Sequence, residues 1–199
     1  MTRLLRLFAV FTFLAAASLG LGSPTNAGAA SGSQLLRWDI VQISPTPTTI
    51  LAGGQASARD TARHLTLAVT GSGQADLGVG TAAGGGTFVL RHDGRVVSRG
   101  FYTITGFISF APLAGSFAGV PIRDGIGDKR DTRSGVLTMR FAAYANSRQV
   151  AAGTLAVHCA LPGSPSSAFE GVVIRDNHGD QFTKVVDDGP TLFHLLARL

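Results

Sequence analysis

The chain has 199 residues, is 45% hydrophobic and carries a formal net charge of +5, which suits one domain with a real core. Its basic residues are scattered along the chain rather than striped, which argues against a nucleic-acid partner. Glu170 is the only glutamate and lysine occurs only at Lys129 and Lys184, so exposed helix formers are scarce, whereas 26 Gly and 12 Phe suit strands and turns.

Residues 1–29 read as an export signal. Arg3 and Arg6 form a basic start, Leu7 to Leu19 an apolar stretch, and Ala27-Gly28-Ala29 a small-residue cleavage site. The apolar stretch is too short to span a bilayer. A secreted or otherwise extracytoplasmic protein is expected, with residues 30–199 as a single domain and no stable membrane span after cleavage. Without the two leader arginines the charge falls to +3 (15 basic minus 12 acidic residues). Cys159 is the only cysteine, so no internal disulfide can form, and its apolar run Val157 to Leu161 points to a buried thiol.

From Leu36 to Ile43 the residues alternate, with Leu36, Trp38 and Ile40 on one face, and Pro45 and Pro47 end the strand. Gln55 to Arg59 is a weak strand, and His64 to Thr70 its partner, with Leu65, Leu67 and Val69 pointing one way. The glycine-rich run Gly71 to Gly86 is either a loop or a strand through a crowded corner where only glycine fits. It has no Lys-Ser/Thr ending for a phosphate. Asp93-Gly94 then marks a two-residue hairpin turn between Thr87–His92 and the strand from Arg95.

Such a turn pairs His92 with Arg95, Leu90 with Val97 and Phe88 with Arg99, placing Phe88, Leu90 and Val97 on one face. Farther on the apolar set is Tyr102, Ile104, Ile108 and Phe110, so the parity flips, and a β-bulge is expected near Arg99-Gly100. Pro112 to Arg133 is an irregular crossing. Asp124, Asp128 and Asp131 lack the spacing and closing glutamate of a calcium loop, so a self-paired loop is expected. Val136–Ala145 and Gln149–Cys159 form a clear hairpin, with Leu137, Met139 and Phe141 inward on the first arm and Ala151, Leu155 and Val157 on the second. Phe169–Arg175 and Gln181–Val186 form the last hairpin, and Pro190 opens a short terminal helix or strand at Thr191–Leu196.

About nine strands joined by short turns, with no βαβ pattern, predict an all-β protein: an antiparallel, mostly up-and-down β-barrel of about eight to nine strands with a short C-terminal cap. A β-sandwich is the alternative. Groups that could carry chemistry are few. Glu170, if it faces inward, would be a buried carboxylate with a raised pKa, and His158 faces away from the apolar set. No Gly-x-Ser-x-Gly elbow is present, and no metal or cofactor site is expected from five histidines without ligand spacing.

The segments Cys159-Ala-Leu-Pro162, Pro165 to Phe169-Glu170-Gly171 and Thr191-Leu-Phe-His194 resemble a group of uncharacterised exported bacterial proteins. So do the run into Gly86-Thr-Phe88 and the segment Gly100 to Phe110. The resemblance implies no activity. More loosely, the strands are similar to barrels of the calycin, allene-oxide-cyclase and dirigent kinds, which implies binding or steering of apolar molecules inside the barrel. A small apolar ligand in the interior is therefore the expected partner, with Trp38, Phe88, Leu90, Tyr102, Ile104 and Phe141 as expected contacts. An isomerase, cyclase or lyase using Glu170 or His158 is the enzymatic alternative, and a filled, structural envelope or surface protein the third; oligomers are compatible with each. A cavity of roughly 300 Å³ or more would separate the first two from the third.

Overall fold

A computed structural model describes residues 34–185 and 189–196. The expected signal at 1–29 and the end of the last hairpin at Val186 lie outside the described residues. The described chain is all-β, with one 3-10 turn at Lys129–Asp131 and no α-helix. Its strands are β1 (Leu35–Pro45), β2 (Thr48–Ala52), β3 (Ala56–Asp60), β4 (Leu65–Val69), β5 (Ser72–Asp76), β6 (Thr81–His92), β7 (Arg95–Leu113), β8 (Arg123–Asp124), β9 (Thr132–Ala145), β10 (Arg148–Cys159), β11 (Gly171–Asp176), β12 (Gln181–Lys184) and β13 (Thr191–Leu196).

The sheet is mixed only through the short parallel contact of β2 with β8; its other pairings are antiparallel. Strands β3, β4, β6, β7, β9, β10, β11 and β12 pair in that order, and β12 returns to β3, so the pairings close into a ring. A second path closes the other end of the same strands. There β5 continues the line of β4 along β6, while β1 pairs with both β5 and β13, and β13 pairs with β9. The C-terminal segment is thus a strand built into the sheet between β1 and β9.

The glycine-rich run is the crowded corner. A Cβ on Gly73 would stand 2.1 Å from the Ala83 carbonyl oxygen and 2.8 Å from the Trp38 indole nitrogen, and one on Gly86 would stand 2.0 Å from the Thr70 oxygen. Glycine here lets β5 and β6 approach and leaves room for the fully buried Trp38 against Gly71 and Gly73. Trp38 pairs across strands with Phe193, and Phe193 meets Phe110 edge to face at 5.8 Å. That end of the ring is solid.

The bulge is not at Arg99-Gly100. Pairing runs unbroken through Phe88↔Gly100, and the extra residue is Val97, between Leu90↔Ser98 and Arg91↔Val96. Val97 is turned outward and is 57% exposed, so the row that faces inward is Ser98, Gly100, Tyr102 and Ile104. Two further slips, at Thr105 and Ile108, spread the curvature along this 19-residue strand.

Candidate functional site: the open end of the ring

The inward rows of the eight-stranded circuit do not fill its second end. Leu67 and Val69 of β4, Phe88 and Leu90 of β6, Tyr102 of β7 and Phe141 of β9 surround a cavity of about 210 Å³. Its origin is legible residue by residue. Tyr102 pairs across strands with Gly86 on one side and Ala143 on the other, and Ala143 pairs in turn with Ala151 of β10. Ala143 and Ala151 both line the cavity beside this one large ring, and their missing side-chain volume leaves it open. Phe141 packs edge to face on Tyr102 at 6.3 Å. The Tyr102 hydroxyl donates 2.8 Å to the Thr70 carbonyl, which fixes the ring, and burial pushes the phenol's pKa up.

Polar groups gather at the hairpin end. The β11–β12 turn carries Asp176, His178 and Asp180, and all three line the cavity. Asp176 Oδ1 accepts the backbone N–H groups of His178 and Asp180, each at 2.9 Å, which shapes the turn. The His178 ring nitrogen Nε2 lies 2.8 Å from the Val150 carbonyl. A carbonyl can only accept, so Nε2 carries the hydrogen. Asp180 pairs with Arg63 of the β3–β4 turn, and Asp60 accepts from the Gln181 N–H at 3.0 Å. The Gln181 hydrogen bond, opposed by burial and helped by those of Arg63 and Ala62, holds the Asp60 carboxyl below its usual pKa.

Of the expected ligand contacts, Phe88, Leu90, Tyr102 and Phe141 line this cavity. Trp38 and Ile104 are buried elsewhere in the core. Glu170 and His158 also lie off it. The Glu170 carboxyl clamps three segments: Oε1 accepts from the Ala160 N–H at 2.7 Å, and Oε2 from the Thr191 N–H at 2.9 Å. Burial raises its pKa against the opposing pull of those bonds. His158 stacks on Phe169 with ring centroids 4.0 Å apart, beside a second, outer hollow of about 220 Å³. Cys159 is buried, and burial, with Glu170 nearby, raises its thiol well above the usual range, so it is a poor nucleophile.

Sequence reasoning placed Leu67, Val69, Ala151 and Leu155 on inward rows but did not join them to a site. His178-Gly179-Asp180 reads from sequence only as a turn. The signal available was the two-residue period: Asp176 continues the inward row of Val172 and Ile174, a carboxylate where the pattern asks for an apolar side chain.

A third polar cluster lies on the outer face of β1 and β13. Asp124 Oδ2 and His194 Nε2 are 2.7 Å apart, and both side chains are almost fully buried. Arg37, opposite His194, forks onto Asp39 at 2.8 and 3.0 Å. The Asp39 hydrogen bond raises the arginine pKa against the effect of burial, with further help from the charges of Asp39 and Asp124. The irregular crossing 114–131 covers this face; Asp128 pairs within the crossing, as expected, whereas Asp124 turns instead to His194 of β13. Arg130 forks onto Asp128 and draws the carboxyl down to about 2. No group of three or more potential ligand side chains suited to a metal ion occurs among the described residues.

No protein-family model, curated protein or solved structure matches this chain.

Proposed function

We propose that the protein is an exported β-barrel that holds a small apolar molecule in the open end of its ring. One observation carries this reading: an apolar-walled cavity of about 210 Å³ reached from the hairpin end, while the opposite end is packed solid around Trp38. A dry cavity of about 150 Å³ lined by aliphatic and aromatic groups accommodates benzene. The volume falls short of the roughly 300 Å³ expected of a site for a larger ligand, so the reading narrows to an occupant on the order of ten non-hydrogen atoms. Export rests on the basic start, apolar stretch and cleavage pattern of residues 1–29. Among the described residues no helix is long and apolar enough to cross a membrane.

Binding rather than isomerase, cyclase or lyase chemistry is proposed because Glu170 and His158 lie outside the cavity and Glu170 is engaged by backbone donors. The likeness to uncharacterised exported proteins and to calycin-type barrels belongs to the same proposal and adds no activity to it. Mass spectrometry of small molecules released from the natively purified protein tests it. One recurrent apolar species, absent from an Ala151→Phe variant that fills the cavity, is expected. Ligand-free protein that also fails to take up added octanol would overturn the reading.

A further inference from the structure

We infer that the mouth of the cavity selects its occupant by head group: the ring takes an apolar molecule bearing a cationic, hydrogen-bond-donating head, a primary aliphatic amine being the simplest case, and disfavours the corresponding carboxylate. The inference rests on the cavity reading above and specifies its ligand. The walls supply no direction of their own, since they are aliphatic and aromatic from Leu67 round to Phe182. Orientation must come from the few polar groups that line the cavity, namely Ser98, Tyr102, Asp176, His178 and Asp180.

Most of these are committed. The Tyr102 hydroxyl donates its hydrogen to Thr70, His178 Nε2 donates to Val150, and Asp180 is neutralised by Arg63. Asp176 is different. Its Oδ1 accepts two backbone N–H groups, but no hydrogen bond or ion pair reaches Oδ2 from the described residues. The side chain is half-buried and lines the cavity, two residues beyond the buried Ile174 on the same face of β11. Across the ladder stands Gly153, which offers no side chain to cover it. A half-buried carboxylate with a free oxygen at the lip of an apolar cavity attracts a donor that brings positive charge, and repels a second carboxylate. Among the described residues no lysine or arginine lines the cavity, and the nearby Arg63 guanidinium is paired with Asp180.

The test uses four probes of matched chain length (octylamine, octanol, octanoate and octane) titrated into the full chain by calorimetry. The wild type and Asp176→Asn are compared; asparagine Oδ1 still accepts the two backbone N–H groups, so the turn is kept. Octylamine is expected to bind about tenfold or more tighter than octanol, octanoate weakest of the polar three, and the amine-to-alcohol ratio to fall to about one in Asp176→Asn. Equal binding of amine and carboxylate by the wild type would overturn the head-group inference and leave the cavity reading intact. An amine preference that survives in Asp176→Asn would do the same. Preference for octanoate would assign the mouth to Arg63 instead. Binding of none of the four would remove the cavity reading and this inference together.

Discussion

His194 Nε2 donates a 2.7 Å hydrogen bond to Asp124 Oδ2 at a place where neither side chain reaches water. Asp124 Oδ1 also accepts the N–H groups of Ile126 and Gly127, and the backbone of Gly127 lies so close to the imidazole that a Cβ would come within 2.9 Å of it. The contact therefore fastens the irregular crossing to the outer face of β13. His194→Ala removes the only side-chain partner that carboxylate's second oxygen has among the described residues and leaves a buried carboxylate oxygen unpaired. The expected loss is about 3–5 kcal/mol by urea unfolding, with the first protease cuts falling between 114 and 131. His194→Gln, which can still donate, should lose clearly less. Equal stability of His194→Ala and wild type would contradict this account.

The close approach of β7 to β9 gives a prediction with an internal control. A Cβ on Gly100 would sit 1.9 Å from the Tyr144 carbonyl oxygen, a backbone atom that cannot rotate aside. Gly106, on the same strand, has its nearest neighbour 3.9 Å away, at the flexible Arg140 side chain. Gly100→Ala should cost about 3 kcal/mol or more, and Gly106→Ala should stay within about 0.5 kcal/mol of wild type. Thermal unfolding of the two variants side by side measures the contrast, and similar melting temperatures would contradict the strand packing described here.

How far these features could be read from sequence differs by kind. The Asp93-Gly94 hairpin, the inward rows of β9 and β10 and the glycine corner follow from local chemistry: turn residues, a two-residue period, absent side chains. The parity flip on β7 was equally visible, but not the residue that absorbs it. Val97 is β-branched and reads as core, yet a bulge falls where the ring needs curvature, which depends on β4 and β9 as much as on β7. The cavity was less legible still. It arises because Ala143 and Ala151 fall in one cross-strand row beside Tyr102, and that row is set by a register slip at Val150. The Asp124–His194 contact joins residues 70 positions apart and has no local signature.

Glu170 makes the stability of this protein respond to pH. Thr191 Oγ1 lies 2.5 Å from the His158 carbonyl. The same hydroxyl lies 2.9 Å from Glu170 Oε2 as a donor that pulls the carboxyl's pKa down, as do the backbone bonds from Thr191 and Ala160, but burial outweighs that pull and the net shift is upward. The folded state thus binds this proton more tightly than the unfolded chain does. Glu170's contribution is fully favourable below its unfolded pKa of about 4.3 and is lost as pH rises through the higher folded value. Urea unfolding from pH 4 to pH 8 should show this fall in wild type and a flatter profile in Glu170→Gln. Parallel profiles for the two would sink the assignment.

The central claim, that the open end of the ring holds a small apolar molecule, is tested most directly by methyl NMR during titration with octanol. The claim predicts saturable shifts, at one molecule per chain, confined to the methyls of Leu67, Val69, Leu90 and Leu155. Leu36 and Leu137, packed in the solid end, should stay still, and Ala151→Phe should abolish the response. Unsaturable shifts, or shifts centred on the methyls of the exposed Val97 and Ile108 of the outer face, would contradict it.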